Sequence, residues 1–338
     1  MPFAKDLPPA SALRSATGEP AREYHDLSKT VPELDAFISH SWKDTRTAKF
    51  FSLALHFRAW DSVMWASLLL LVVFPLQHRL AAMGMLGNGI DMDGGGMRMC
   101  GMCHLSWGIA FILMVIFGSP TPWMPRYCFL DRLCIHQTDP QLKKRGIDSL
   151  GGFLARSKRM VVIYSSSYIS RLWCTFELAA KVRTHGVESI DLMPTAVCGA
   201  VGGPCVLCIL ASAALATGGL LGYETMDSLM MNPPMLIVLV CVIVGNVVIP
   251  LRMSASLQAA LEKTEAELDS MQVNKLECFD EKDRSFVEGC IHRWYGSSSA
   301  FEQTIRNGLV PTLRARGILR QVCVRVRVRR AARALCCH

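Results

Sequence analysis

The apolar positions of this chain fall into two kinds of run. Four are long: VMWASLLLLVVFPLQHRLAAMG (63–84), LSWGIAFILMVIFGSPTPWM (105–124), TAVCGAVGGPCVLCILASAALATGGLLG (195–222) and MLIVLVCVIVGNVVIPLRM (235–253). A helix that crosses a bilayer needs about 20 mostly apolar residues. The pattern therefore predicts two transmembrane helical hairpins, with buried core helices as the competing reading. Trp107 and Trp123 stand where interfacial anchors belong. The third run is rich in Gly, Ala, Ser and Cys, which permits close helix contact in lipid.

The other runs are short. LDAFISH (34–40), YCFLD (127–131), RMVVIYS (159–165) and ESIDLM (188–193) are continuous apolar segments of strand length, separated by helical stretches. Such runs alternating with helices predict a parallel sheet covered on both faces, a doubly wound α/β layer. TRTAKFFSLALHFRAW (45–60) reads as the helix after the first strand, and ASLQAALEKTEAELDSM (255–271) as an amphipathic helix.

These elements divide the chain into a Pro/Ala/Ser-rich disordered arm (1–33), a first strand and helix (34–61), a transmembrane hairpin (62–124) and the rest of the α/β layer (125–194). A second hairpin (195–253), a helical region (254–320) and a basic, Cys-containing tail (321–338) follow. The tail alternates Val and Arg, which suits an edge strand, a stripe facing anionic lipid, or a solvated end. Cys336 and Cys337 beside the arginines are candidates for lipidation.

Composition changes the picture in two respects. With 36 Lys and Arg against 28 Asp and Glu, the net charge is +8, but the bases flank the apolar runs and form no nucleic-acid motif. The loops 85–104 and 223–234 hold one Arg and no Lys. The positive-inside rule then places the N-terminus, middle segment and C-terminus in the cytosol, with the lipid bilayer as partner and no nucleic acid. The 14 Cys are scattered, several within apolar runs, unlike a secreted disulfide framework. Spans almost free of ionisable residues disfavour a small transporter or channel.

Three motifs carry the chemistry. DAFISHSWKD (35–44) resembles the first signature box of Toll/interleukin-1 receptor (TIR) domains, RLCIHQTDP (132–140) the second, and SSSYISRLWCTFEL (165–178) the Ser-Tyr-Trp-Cys-Glu stretch at a helix start. The third match reads S-x-x-W-C-x-x-E-L rather than S-x-W-C-x-x-E-L. Residues 283–302, from Asp283-Arg284 through Trp294-Tyr295-Gly296-Ser297 to Phe301-Glu302, are similar to the C-terminal region of protist multi-span proteins with a TIR-like core.

The resemblance implies a TIR-like, flavodoxin-like parallel sheet interrupted by the two hairpins, with a helical C-terminal region. It implies signalling by contact with a second copy or another TIR-like protein, through His136, Asp139 and Pro140. The alternative it implies is a membrane-bound NAD+ glycohydrolase with Glu177 as the catalytic carboxylate and no cofactor, NAD+ being the substrate. A carboxylate there would stabilise the oxocarbenium character of the breaking glycosidic bond. Trp173 would stack on the substrate, and Ser41, Trp42 and Lys43 would line the strand end where α/β folds bind ligands. A structural reading stands beside it: Ser170 caps the helix, Glu177 pairs with Lys181 at i,i+4, and Trp173 and Cys174 fill the core.

Two further motifs are set aside. CGMCH (100–104) has the spacing of a haem attachment site but no domain to bury a haem; a disulfide or soft-metal site at Cys100 and Cys103 suits it better. DMDGGG (91–96) begins like a calcium loop but places Met102 where the bidentate glutamate belongs. No metal site is expected.

Overall fold

The computed structural model describes residues 25, 28–83, 90–91, 98–99, 101–118, 127–196, 209, 213, 249–278 and 281–315. Most of the arm 1–33, most of the run 195–222, residues 235–248, the Cys205-x-x-Cys208 pair, Cys100 and the tail 321–338 lie outside the described residues. The chain divides into two compact units. One comprises Met1–Leu53, Pro122–Thr195 and Ala260–His338; the other comprises Ala54–Thr121 and Ala196–Ala259.

The first unit is built on β1 (Leu34–His40), β4 (Cys128–Phe129), β5 (Ser157–Tyr164) and β6 (Ile190–Pro194). All four predicted strands form, all neighbours are parallel, and their order is β4-β1-β5-β6. Counted among themselves this is 2-1-3-4, the arrangement that begins a flavodoxin-like doubly wound sheet. Register is set by Ile38 opposite Val161 and Val162 opposite Leu192.

Side chains alternate across the sheet. Phe37, Phe129, Met160, Val162, Ile190 and Leu192 face one continuous core, while Ala36, Ile38, Val161, Ile163 and Met193 are buried on the opposite face. Burial on both faces explains why each strand reads as an unbroken apolar run. Phe37 and Phe129 stack with ring centroids 4.7 Å apart, joining inner strand β1 to outer strand β4.

Between β4 and β5 lie α3 (Asp131–Cys134), α4 (Pro140–Asp148) and α5 (Leu150–Arg156); between β5 and β6 lie α6 (Ser166–Ile169) and α7 (Leu172–His185). The C-terminal end of α8 (Ile249–Asp269), with α9 (Glu281–Tyr295) and α10 (Ser298–Thr304), contributes Leu268, Val287, Ile291 and Phe301 to the same core. The C-terminal region thus packs into the sheet layer itself.

That explains the sequence pattern over residues 283–302. Asp283 accepts from the Trp173 indole at 2.9 Å, and Arg284 donates to the Leu276 carbonyl at 2.8 Å. Tyr295 donates to the Ala179 carbonyl at 2.7 Å, Ser297 caps α10 through Ala300 N, and Glu302 accepts from Val273 N at 2.8 Å. Gly296 between the helices has φ +85, a left-handed turn that favours glycine.

In the second unit the part of α1 (Arg46–Ala82) from Ala54 onward and α2 (Gly101–Phe117) pack side by side. Arg58 donates to the carbonyls of Val115 and Ile116, Trp107 to Ser67 at 3.2 Å, and Cys103 to Gln77 at 3.4 Å. Contacts that run forward on one helix and backward on the other define an antiparallel hairpin. Arg58 donates to carbonyls in the last turn of α2, where a helix has no intrahelical donor left to offer. The two-residue strands β2 (Ile90–Asp91) and β3 (Arg98–Met99) pair between the helices.

Three expectations change. The helix predicted over 45–60 and the span predicted over 63–84 are one element of 37 residues, α1, because no Gly or Pro occurs before Pro75 to end it. Its interior Pro75 forgoes one backbone bond, as membrane helices tolerate. The second predicted span, 105–124, ends as a helix at Phe117, and α2 has 17 residues, short of the length expected for crossing. Among the described residues one helix, Arg46–Leu80, is long and apolar enough to cross a membrane.

Candidate functional site

The C-terminal ends of parallel strands, where backbone N–H groups and helix starts converge, are where α/β sheets place ligands. Here the loop after β1 is tied to every neighbouring element. Trp42 Nε1 donates to Asp131 Oδ2 at the start of α3 at 2.9 Å, although the Trp42 ring is 61% exposed. Ser41, fully buried, has its Oγ 2.8 Å from Ser167 Oγ of α6, which also lies 3.1 Å from Asp44 Oδ1. Lys43 Nζ meets Glu277 Oε2 at 2.6 Å, both side chains largely exposed. The loop residues named from sequence therefore share one location, after the central strand.

Glu177 lies in the second turn of α7 and reaches β1. Its Oε2 accepts from Ser39 Oγ at 2.5 Å, and Ser39 Oγ is 2.8 Å from the hydroxyl of fully buried Tyr168. Glu177 is half-buried as a residue, while its carboxyl group is closely surrounded by protein atoms. Burial pushes that carboxyl up to about 8, against the Ser39 hydrogen bond, which favours the ionised form; Asp131 adds to the rise by repulsion. At neutral pH Glu177 is mostly protonated. His40, the residue after Ser39 on β1, is shifted the other way, its imidazolium disfavoured by burial.

The expected Glu177–Lys181 pair does not form. Lys181 is fully buried and its Nζ donates to the carbonyls of Leu154 (3.2 Å) and Ser157 at the C-terminal end of α5. A buried ammonium there gives both carbonyls a charged donor, Leu154 O accepting from Ser157 N as well, and meets the negative end of the helix dipole. Burial, with Arg159 nearby, lowers its pKa to about 8.

Trp173 stands one turn before Glu177, but its indole N–H goes to Asp283 and its ring packs edge-on against Phe176 at 5.4 Å and near Phe286 at 6.3 Å. Cys174 is buried in the core, its Sγ 3.7 Å from the His40 carbonyl. Of the two expected to fill the core, Cys174 does so and Trp173 packs against it half-buried. Ser170 does not cap α7: the N-cap is Arg171, without a side-chain bond, and Ser170 Oγ donates to Ser167 O.

The residues named for protein contact have local duties as well. Asp139 is the N-cap of α4, its Oδ1 accepting from Gln141 N at 2.8 Å and Leu142 N at 3.1 Å. Those backbone bonds hold its carboxyl below the usual range. Pro140 follows at the first helical position, which suits its fixed φ. His136 Nδ1 accepts from Asp139 N at 3.0 Å.

Sequence reasoning missed Ser39, Tyr168 and Asp131 as neighbours of Glu177. Ser39 carried a readable signal, being a small polar residue inside an otherwise apolar strand, and Tyr168 lies within the quoted third motif. Among the described residues no cluster of three His, Cys, Asp or Glu side chains is placed to hold a metal. No family model, curated protein or solved structure matches this chain.

Proposed function

We propose that this chain is a multi-pass membrane protein that presents a TIR-like α/β module at the cytosolic face and signals through protein–protein contact. One observation carries the reading. Strand β1, before the first long apolar segment, pairs in parallel with β4 and β5, which follow it. A module rebuilt across an apolar insertion is what an α/β domain interrupted by membrane anchors requires. The order β4-β1-β5-β6 and the position of all three boxes around the β1 end support it. The apolar helix Arg46–Leu80 supports the membrane anchor.

Two measurements test it on the full chain in sealed vesicles. Epitopes at the N-terminus and at Gly151 should share cytosolic accessibility; protection of one alone contradicts the topology. Crosslinking in the native membrane should capture a second copy or another protein through the α/β module; a strictly solitary chain contradicts the contact role.

A second reading, a membrane-bound NAD+ glycohydrolase, is favoured by Glu177 at the end of the central strand, held by Ser39. On this reading the ionised carboxylate does the chemistry, so turnover rises with pH as Glu177 ionises around 8. NAD+ consumption by solubilised protein, abolished in Glu177→Gln, is the expected result. Equal turnover in that variant, or none in the parent, removes this reading.

A further inference from the structure

Glu177 presents two unlike oxygens. Oε2 is 2.5 Å from Ser39 Oγ, whereas Oε1 makes no hydrogen bond among the described residues and is not sealed from solvent by them. Behind Ser39 stands Tyr168, its hydroxyl 2.8 Å from Ser39 Oγ and 3.3 Å from the Cys174 carbonyl. Each hydroxyl owns one hydrogen. If Ser39 gives its hydrogen to Glu177, Tyr168 supplies the hydrogen between the two hydroxyls, and Ser39 accepts it.

That direction suits a carboxyl that changes charge. With a proton on Oε1, Oε2 is a carbonyl-type acceptor for Ser39; without it, Oε2 shares the negative charge and the same bond tightens. Neither state needs a hydroxyl to turn. The opposite direction, in which Glu177 donates from Oε2 to Ser39, Ser39 to Tyr168 and Tyr168 to Cys174 O, locks the proton inside.

We propose that Ser39 and Tyr168 are positioning residues that hold Oε2 by donation and so leave Oε1 as the oxygen that takes and releases the proton and meets a ligand. The catalytic meaning of this rests on the glycohydrolase reading: Oε1 would be the atom that faces the electron-poor anomeric carbon once its proton has gone to solvent. The titratable groups facing the carboxyl are Asp131 at the start of α3, Tyr168 on α6, and Cys174 one turn back on α7. Arg171, Asp44 and Tyr164 act on that same set from further out.

The two directions predict opposite shifts, which makes the test independent of turnover. The Glu177 carboxyl stretch, identified by its loss in Glu177→Gln, is followed by infrared difference spectroscopy across pH on the full chain in lipid nanodiscs. Removing a donor to a carboxylate favours the neutral form, so Ser39→Ala should raise the midpoint by about one unit or more. Tyr168→Phe should raise it by less, because it only weakens Ser39. A downward shift in Ser39→Ala shows that Glu177 is the donor and overturns the proposal, as does an unchanged midpoint. Near-ultraviolet circular dichroism checks that each variant keeps its packing; if Ser39→Ala unfolds, the sign of the Tyr168→Phe shift decides alone. Raised midpoints without NAD+ consumption would keep this assignment and remove the glycohydrolase reading.

Discussion

Phe37, Phe129, Met160 and Val162 in the α/β unit and Leu68, Leu69, Leu71, Val72, Phe74 and Leu76 on α1 are residues of the same chemical kind with opposite fates. The first four are at most 1% exposed, whereas every one of the six on α1 is classed as exposed, Leu71 at 72%. A soluble fold does not leave such a row in water, because each large aliphatic or aromatic side chain gains about 1.5–3 kcal/mol on leaving it. The sheet supplies that medium from its own side chains; α1 needs one from outside. The α/β unit is therefore legible as a core, and α1 as an apolar surface long enough to cross a membrane, which the proposed function covers with lipid.

The largest expected effect comes from attacking α1. Leu71→Arg with Phe74→Arg places two charges in the apolar run at roughly 2.5–3.5 kcal/mol each if that run spans the bilayer centre. The double variant should move the chain from the membrane pellet to the soluble fraction after alkaline extraction, or abolish its accumulation. The matching change in the other region is Phe37→Ala, which removes a buried ring stacked on Phe129 and should cost about 3–5 kcal/mol of fold stability. Membrane retention should be untouched, and thermal unfolding should show the loss.

Lys181→Met keeps the volume but takes the charged donor away from the Leu154 and Ser157 carbonyls, for a cost of about 1–3 kcal/mol. An exposed Glu177–Lys181 pair would have been worth only about 0.2–0.5 kcal/mol, so a denaturation titration separates the two roles. Glu177 contributes a slope rather than a step. Between about 4.5 and 8 the folded chain keeps a proton on this carboxyl that the unfolded chain has released. Stability should therefore fall as pH rises through that window, and Glu177→Gln should flatten the fall. The smallest effect belongs to Lys43→Ala, because its partner Glu277 and Lys43 itself are both more than half exposed and such pairs contribute little.

Legibility followed the range of the forces involved. Each strand could be read because burial on both faces leaves an unbroken apolar run, a property of consecutive residues. The continuity of α1 was obscured by Asp61 and Ser62, polar residues that look like a boundary but are no obstacle to a helix. Lys181 misled for the same reason in reverse. The i,i+4 rule is local, while the carbonyls that claim its ammonium are 24 and 27 residues away in sequence. Asp283, 110 residues from Trp173, was visible as part of a motif but not as the group that occupies the indole. At the site, Glu177 and the 41–44 loop were found from sequence; Ser39 was hidden by counting its strand only as apolar.

The central claim is that the row on α1 faces lipid while the sheet faces only itself. A spin label at position 71, in the full chain reconstituted into liposomes, reads this directly through its collision rates with oxygen and with a water-soluble nickel complex. High oxygen and low nickel accessibility is the predicted result. High nickel accessibility at position 71, equal to that of a label at exposed Lys144, would place α1 in water and contradict the account.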